Sequence, residues 1–357
     1  MENAGKCIYI GRNGNPDRTT KGEMMKPKKV LVLGASGTMA SYMIPLLAEN
    51  GCMVDGIALD EVQSCHPNVK YYQGNAKDPA LRNEFLAKNY DAIVDYLTYV
   101  TAEIPFVLPR MLDHTDHYIY LSSGRVYDNL ERPVRESSPR LIDSSKDPLL
   151  LNSDDYCIYK ARGENLLYSM KRKNWTIVRP ATTYGYLRYQ LVTLEAADTV
   201  GRAFAGKGVV VPEQAKNKPA TLSWGGDAGK MIGKLLFCES ALGETFNVNS
   251  AEHHTWEEIA DYYRDICGLK AVWVDKEDYL NILNPDPYLL GRRWQLEYAR
   301  LFDREVDNSR ILAATGMKQS DMMPLYEGLK MEILRAPKNY PWPNNQRMDD
   351  YLAAMKK

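Results

Sequence analysis

Residues 28–40 read Lys-Lys-Val-Leu-Val-Leu-Gly-Ala-Ser-Gly-Thr-Met-Ala, and this stretch decides the fold. The apolar run Val30–Leu33 predicts a strand that is buried on both faces of a parallel sheet. The glycines that follow predict a tight turn into a helix that runs to about Glu49. Glycine lets the backbone approach a pyrophosphate closely, and a helix N-terminus supplies N–H donors and the positive end of a dipole. The stretch therefore predicts a dinucleotide site whose residues are Gly34, Ser36, Gly37, Thr38 and Met39.

Asp60 supports this prediction. It closes the next apolar run, residues 54–59, and comes twenty residues after Ala40. At this position a carboxylate accepts hydrogen bonds from the ribose diol of an adenosine. A 2′-phosphate would meet like charge there, so the residue favours NAD over NADP. A solvated loop carboxylate is the alternative interpretation of Asp60.

A strand–helix alternation continues from this turn to Pro180. Further strands are predicted at 69–73, 92–97, 118–121 and 175–180, with helices at 79–88, 104–114 and 155–173 between them. The alternation predicts an α/β fold, namely a Rossmann-type doubly wound parallel sheet with helices on both faces.

After Pro180 the pattern loosens, which predicts a smaller, mostly helical C-terminal substrate lobe. Helices are expected at 192–205, 227–238, 309–316 and 322–335, and Thr255 with Glu258 forms a capping box at the start of another. The predicted organisation is an N-terminal extension of unknown role (1–24), an NAD-binding Rossmann domain (25–180), a substrate-binding lobe with some return to the Rossmann domain (181–336) and a C-terminal tail (337–357).

Composition narrows the function classes. The 357 residues carry a formal net charge of −1, which gives no electrostatic footprint for nucleic acid or for an anionic membrane. The six cysteines are scattered without a CxxC motif, so free thiols are expected and no metal site. No apolar stretch approaches the ~20 residues of a membrane span, and no signal-peptide core is present. A cytoplasmic location is the expectation.

Tyr156 and Lys160 are the most informative pair for chemistry. They are four residues apart in a predicted helix and therefore share one face. An ammonium beside a phenol stabilises the ionised form, so a group that titrates near pH ~10 becomes an acid or base near neutrality. Ser123, at the end of a predicted strand, is placed to hold the substrate oxygen that exchanges the proton. The set is typical of hydride transfer at a secondary alcohol. Tyr159 competes for the catalytic role, but it faces elsewhere on the helix and is expected to pack.

These motifs resemble a known family. The glycine turn, Ser-x-x-Val-Tyr from Ser123, Tyr-x-x-x-Lys from Tyr156 and Arg-Pro-x-x-x-Tyr-Gly from Arg179 occur in this order over about residues 28–249. They are similar to the extended short-chain dehydrogenases/reductases, and more narrowly to the NAD-dependent epimerase/dehydratase branch, which acts mostly on nucleotide sugars. The resemblance implies that Tyr156 is the catalytic acid/base, that Lys160 lowers its pKa and binds the nicotinamide ribose, and that Ser123 orients the reacting hydroxyl.

The resemblance also implies further binding residues. Asn75, where the family usually has an aspartate near adenine, and Leu97 join the cofactor set, and the substrate set is Arg125, Tyr184 and Arg292. A plain salt bridge is the alternative for Arg125, and a solvated helix face is the alternative for Arg292. Asp227 matches a family aspartate that is mainly structural. Relatives commonly dimerise through helices that flank the sheet, so a homodimer is a further expectation.

The departures from the family pattern make some reactions of the family less favoured than others. Ala40 replaces the third turn glycine. The fourth strand ends in Asp-Tyr-Leu-Thr-Tyr from Asp95 instead of the usual His-x-Ala-Ala, so the contacts that the family usually makes with the nicotinamide are not expected in their usual form. Sugar 4,6-dehydratases place Asp-Glu where this chain has Gly124 and Arg125, so water elimination is disfavoured. The 3,5-epimerase/reductases use a cysteine in the place of Gly124.

The prediction is therefore an NAD-dependent epimerase or oxidoreductase that acts on a secondary alcohol of a nucleotide-linked sugar. Two alternatives stay open. One is a reductase of small carbonyl compounds. The other is a non-catalytic RNA-binding or regulatory member of the same superfamily, although no nucleic-acid partner is expected from the charge.

Overall fold

The computed structural model describes residues 26–284, 286 and 289–355, so the predicted extension 1–24 lies outside the described residues. The strands are β1 Lys29–Leu33, β2 Met53–Ala58, β3 Val69–Gln73, β4 Tyr90–Asp95, β5 Thr115–Leu121, β6 Trp175–Pro180, β7 Thr182–Tyr184, β8 Val209–Pro212, β9 Pro219–Ala220, β10 Leu222–Trp224, β11 Glu244–Val248, β12 His254–Thr255 and β13 Ala271–Val274. Seven of them form one sheet in the order β3-β2-β1-β4-β5-β6-β11, and all neighbours in it are parallel. This is the doubly wound order with one strand added at the edge, which confirms the predicted fold class.

The helices are α1 Thr38–Glu49, α2 Pro79–Leu86, α3 Ile104–Asp113, α4 Leu141–Ser144, α5 Pro148–Leu151, α6 Tyr156–Ser169, α7 Arg202–Phe204, α8 Gly225–Leu235, α9 Trp256–Cys267, α10 Lys276–Leu283, α11 Gly291–Gln295, α12 Ser309–Thr315, α13 Leu325–Leu334 and α14 Gln346–Ala354. Short 3-10 or π segments add single turns, including Gly124–Val126 after β5 and Leu296–Arg300 after α11. The capping box at the start of α9 is present as predicted, with Thr255 and Glu258 bonded reciprocally.

The sheet is buried on both faces because its strands are apolar throughout. In β1, Val30 and Val32 belong to the hydrophobic core on one face, whereas Leu31 and Leu33 belong to the core on the other. The alternation follows from the period of two in a strand, and four consecutive apolar residues serve both cores. The apolar run in the sequence therefore specified a central strand.

The region after Pro180 forms a second core of its own, which is surrounded by α9, α10, α13 and α14. Three two-stranded sheets, β7 with β10, β8 with β13 and β9 with β12, lie among these helices. The helix predicted at 192–205 is wrong in its first half. Leu191 and Leu194 form an isolated bridge around Val192, whose φ is +54°, so helical structure begins only at Ala197.

Two helices on one face of the sheet, α1 and α8, approach closely because Gly229 of α8 faces the backbone of α1. A Cβ atom added to Gly229 would lie 2.6 Å from the Met39 carbonyl oxygen and 3.1 Å from the Met43 backbone nitrogen. Both of these atoms belong to the α1 backbone and cannot rotate away. The close contact holds the helix that follows the glycine turn in place.

Gly229→Ala is therefore expected to destabilise the fold by about 1–3 kcal/mol, because the new methyl group overpacks a rigid backbone contact. The measurement is the free energy of unfolding from urea titration. Gly233→Ala in the same helix is the matched control, since its Cβ would meet the Met43 side chain at an ordinary 3.4 Å. The control gains helix propensity without overpacking, so equal effects in the two variants would contradict the packing argument.

Two compositional expectations are tested by the structure. Among the described residues no helix is long and apolar enough to cross a membrane. Cys52, Cys157, Cys238 and Cys267 are free thiols, as expected. Cys65 is disulfide-bonded, so the expectation of free thiols throughout is wrong at that position.

Candidate active site

The glycine turn after β1 has the geometry of a pyrophosphate cradle. Gly34 has φ +79°, and a Cβ atom on it would lie 3.3 Å from the Tyr96 Cβ. Gly37 is the N-cap of α1 and provides no side chain to the first N–H groups of the helix. These donors and the positive end of the helix dipole are therefore not used by a protein cap, which fits a bound anion.

The side chains predicted to hold the adenosine end lie at the same edge of the sheet. Asp60 follows β2 and is exposed, and its Oδ2 accepts a 2.8 Å hydrogen bond from the Ser36 hydroxyl. Asn75, also exposed, follows β3, and its Oδ1 accepts from the backbone N–H of Lys77. Because both strands end at this edge, the two residues lie where a dinucleotide extends from the turn. The residues present fit NAD.

Ser123 and Tyr156 come together from two elements. Ser123 follows β5, and Tyr156 is the first residue of α6, whose N-cap is Asp155. Burial raises the pKa of the Tyr156 phenol. A hydrogen bond with the Ser123 side chain and the charges of nearby arginines, Arg125 foremost, lower that pKa in part. Ser123 and these arginines therefore oppose the effect of burial, but burial is the largest effect and the pKa of Tyr156 stays above its ordinary value.

Lys160 lies one turn along α6 and is fully buried. Its Nζ donates to the carbonyl oxygens of Leu97 at 3.0 Å and Leu121 at 2.5 Å, and it lies 5.8 Å from the Tyr156 ring centroid. Burial lowers the Lys160 pKa to about 8, although the charge of Asp95 opposes this shift. Lys160 is held at the ends of β4 and β5. The sequence predicted that Lys160 lowers the Tyr156 pKa, whereas in the structure that pKa is raised by burial, and the groups that partly lower it are Ser123 and the arginines.

Tyr159 packs, as the sequence reasoning expected. Its ring meets that of Tyr156 edge-on at 5.4 Å between centroids, and it lies against the hydrophobic core on the α3 face of the sheet. Burial raises the Tyr159 pKa as it raises that of Tyr156, and the difference between the two is that Tyr156 lines the cavity and Tyr159 does not.

A cavity of about 430 Å³ connects these features. Its lining includes the turn residues Gly37, Thr38 and Met39, then Ser123 and Tyr156. The opposite wall comes from the C-terminal lobe. Four arginines line the cavity, namely Arg125, Arg188, Arg300 and Arg304.

The arginines of the C-terminal lobe are fixed by backbone carbonyls and leave charge for a ligand. The Arg300 Nε donates to the Val192 oxygen at 2.8 Å, and Arg304 donates to the carbonyls of Asp128 and Tyr127. Burial, together with neighbouring arginine charges, lowers the pKa of Arg300 to about 10 and that of Arg304 to about 9. Cations that repel one another in a cavity indicate a site for an anion.

Two predicted substrate residues are not at this cavity. Tyr184 is fully buried in the core of the C-terminal lobe, whereas Thr182 and Thr183 of the same strand line the cavity. Arg292 is exposed on α11 and is not part of the lining. We correct both assignments. Arg300 and Arg304, which were not selected from the sequence, line the cavity, whereas Arg292 does not.

Asp227 is structural in this fold, as expected. Its Oδ2 accepts the backbone N–H of Met323 at 2.7 Å, so it ties α8 to the segment before α13. Burial raises the Asp227 pKa to about 6.

The family follows from the match of residues 30–214, more than half of the chain, to the model of the NAD dependent epimerase/dehydratase family. The chain belongs to this family. A curated relative, chloroplast stem-loop binding protein of 41 kDa b from Arabidopsis thaliana, is 24% identical over 248 residues, which are 65% of this chain. The aligned part spans only 61% of that relative's length.

Solved structures share the fold at low identity. An epimerase of Methanothermobacter thermautotrophicus superposes with a TM-score of 0.66 at 15% identity, covering 92% of this chain and 94% of that chain. UDP-glucose 4-epimerase from Thermus thermophilus, in complex with NAD, superposes with a TM-score of 0.61 at 15% identity, covering 85% and 97% of the two chains.

Proposed function

We propose that this chain is an NAD-dependent epimerase or oxidoreductase that acts on a secondary alcohol of a nucleotide-linked sugar. The observation that carries the proposal is one continuous cavity. Its lining contains Gly37 of the glycine turn together with Ser123 and Tyr156. Its remaining wall carries arginines that suit a diphosphate, because guanidinium groups match phosphate oxygens in geometry and charge.

In this proposal the residues have distinct tasks. Tyr156 exchanges the proton of the reacting hydroxyl through its phenol oxygen, and Ser123 holds the same oxygen by a hydrogen bond. NAD, when bound, supplies the hydride acceptor. Lys160 keeps a positive charge beside the nicotinamide ribose and the phenol. The exposed carboxylate of Asp60 receives the ribose diol and favours NAD over NADP by repelling a 2′-phosphate.

Elimination of water is not part of the proposal. Gly124 and Arg125 occupy the positions where dehydratases carry Asp and Glu, so the two carboxyl groups that serve as acid and base in elimination are not at these positions. The reactions that remain are oxidation of the sugar carbon, reduction of it, and oxidation followed by reduction on the opposite face. A reductase of small carbonyl compounds is the weaker alternative, since it would have no use for the arginines that line the cavity.

RNA binding is the second candidate, because the curated relative is named for stem-loop binding. Against it, the net charge is −1 and the arginines described above line a cavity. Retention of a stem-loop RNA that weakens steeply with salt would favour this candidate.

The test is a panel of nucleotide sugars incubated with the protein and NAD. We expect either a new sugar epimer by chromatography or NADH absorbance for one member of the panel. Epimerases of this type retain their cofactor through the cycle, so nucleotide bound to the freshly purified protein separates an epimerase from a reductase. Absence of turnover and of binding across the panel would contradict the proposal.

Lys160 predicts a pH dependence. Its pKa is lowered to about 8, so the ammonium loses its proton as the pH rises through that value. We expect turnover to fall about tenfold for each pH unit above 8, provided that only the charged amine supports the reaction. The measurement is kcat between pH 6.5 and 9.5, with urea midpoints at each pH as the control for unfolding. A flat profile across this range would contradict the assigned role of the charge.

A further inference from the structure

We propose that Asp95 is a positioning residue for the reaction and that its buried carboxylate supplies the counter-charge for the Lys160 ammonium. The inference rests on the proposed function, because Asp95 acts through the role that Lys160 has there. It also accounts for the departure from the family pattern at the end of β4, where this chain has Asp95 in place of the usual histidine.

A single backbone residue connects the two side chains. The Leu97 N–H donates to the Asp95 Oδ1 at 3.0 Å, and the Leu97 carbonyl oxygen accepts from the Lys160 Nζ at 3.0 Å. The carboxylate therefore fixes the loop after β4, and this loop in turn holds the ammonium. Asp95 is 1% exposed and Lys160 is fully buried, so solvent screens the attraction between their charges only weakly.

The surroundings of Asp95 fit its ionised form. The hydroxyls of Tyr118 and Tyr99 donate to its Oδ2 at 2.8 and 3.0 Å, in addition to the Leu97 N–H at Oδ1. An ionised carboxylate only accepts hydrogen bonds, and these three donors use both of its oxygens. Burial raises the Asp95 pKa, whereas the Leu97 N–H, the Tyr118 hydroxyl, the Lys160 charge and the Tyr99 hydroxyl lower it in part.

Hydrogen bonding alone does not require a charge at this position. The three donors are neutral groups, and an asparagine can accept from the Leu97 N–H and donate to the two hydroxyls. A buried carboxylate is costly unless a cation balances it. Titratable groups face the Asp95 and Lys160 side chains from β5, from α6 and from the loops after β3 and β4, namely Lys77, Tyr99, Tyr118, Tyr120, Tyr156 and Glu164.

Most of these groups contribute little charge to the pair. Lys77 is a cation, but it is partly exposed and forms its own ion pair with Glu103 at 3.1 Å. Burial raises the pKa of all four phenols, so they are neutral near pH 7. The charge balance of Lys160 therefore depends on carboxylates.

Glu164 is the other carboxylate near Lys160, and its charge is already balanced. Arg179 and Arg140 donate to it at 2.7 and 2.9 Å. Burial lowers the Lys160 pKa, and the charge of Asp95 is the foremost one that opposes this shift. In the described part of the chain, Asp95 is thus the carboxylate that remains to balance Lys160.

Asp95→Asn is expected to move the fall in turnover at basic pH to a lower pH. Without the carboxylate, burial lowers the Lys160 pKa further, so the ammonium loses its proton earlier. We expect the basic limb of the kcat profile to move down by about 1–3 pH units, the effect of an opposite charge close to a titrating group. The loss of kcat relative to wild type should be larger at pH 8 than at pH 6.

The measurement is kcat between pH 5.5 and 9.5 on the full chain with NAD and the nucleotide sugar identified by the panel. Asp227→Asn is the matched control, because it removes a buried carboxylate that ties α8 to the segment before α13. Its basic limb should stay at the wild-type pH. A limb that does not move in Asp95→Asn, or that moves equally in both variants, would overturn the inference and leave the proposed function standing.

A double-mutant cycle tests the pairing without substrate or cofactor. Asp95→Asn, Lys160→Met and the double variant are unfolded in urea at pH 7. Each single variant leaves one buried charge without its partner and the double variant leaves neither, so its loss of stability should be smaller than the sum of the two single losses. Additive losses would refute the pairing. If Asp95→Asn does not fold, the double variant should recover folding, and its failure to do so would also count against the pairing.

The two measurements separate this inference from the proposed function. Coupling in the cycle together with a limb that moves only in Asp95→Asn supports both. If the cycle shows coupling but no nucleotide sugar is turned over, the proposed function fails and the positioning role fails with it.

Discussion

Tyr156→Phe is expected to lower turnover by about 10²- to 10⁴-fold, the range that a positioned acid or base contributes. The phenol is the group that meets Ser123 in the cavity, and the substitution removes one oxygen while the ring keeps its packing against Tyr159. Binding of NAD should change little, because the predicted cradle at Gly37 is separate from this hydroxyl. The measurements are kcat on the nucleotide sugar identified by the panel and the dissociation constant of NAD.

Tyr159→Phe is the matched control for this result. Tyr159 lies three residues away in the same helix and also loses a hydroxyl from a half-buried ring, but it is not part of the cavity lining. We expect its kcat to stay within about threefold of wild type. If both variants lost activity equally, the effect would report on the structure of α6 and not on proton exchange, and the assignment to Tyr156 would be withdrawn.

Much of the sheet could be predicted because its signals are local. The strands at 69–73 and 175–180 were predicted at the bounds that the structure has for β3 and β6. Glycine spacing placed the turn, and Gly34 has φ +79°, a backbone conformation that few other residues tolerate. Likewise, Tyr156 and Ser123 could be found because each follows or begins an element whose bounds the hydrophobic pattern reveals.

The cavity wall from the C-terminal lobe could not be predicted in the same way. Arg300 and Arg304 reach the cavity only because a π segment and a turn follow α11 and set the direction of the chain there. No local pattern distinguishes them from Arg292, which is exposed on the preceding helix. Tyr184 was misassigned for a related reason, since the cavity lining on β7 ends at Thr183 and the next residue packs into the core of the C-terminal lobe.

Glu164→Gln is expected to destabilise the protein by about 3–5 kcal/mol, the cost of removing one partner from a buried ion pair. Glu164 is fully buried on α6, and its carboxylate accepts from Arg179 through Nε and Nη2, both at 2.7 Å, and from Arg140 at 2.9 Å. A glutamine leaves these cations without a counter-charge. The measurement is the free energy of unfolding in urea at pH 7. Glu257→Gln is the control, because its pair with Lys216 is solvent-exposed and contributes about 0–1 kcal/mol.

The pH dependence separates this ion pair from simple packing. The arginines and the Ser122 hydroxyl lower the Glu164 pKa below its ordinary value of 4.5, although burial opposes the shift. The folded state therefore holds its proton less tightly than the unfolded state, and the stabilisation is present above pH 4.5 and lost as the pH falls through the folded pKa. The difference between wild type and Glu164→Gln should shrink on acidification below about 4.5. A difference in the free energy of unfolding that stays constant with pH would mean that Glu164 stabilises the protein through its shape and not its charge. Glu164 lies between Ser122, which follows β5, and the rest of the helix that carries Tyr156.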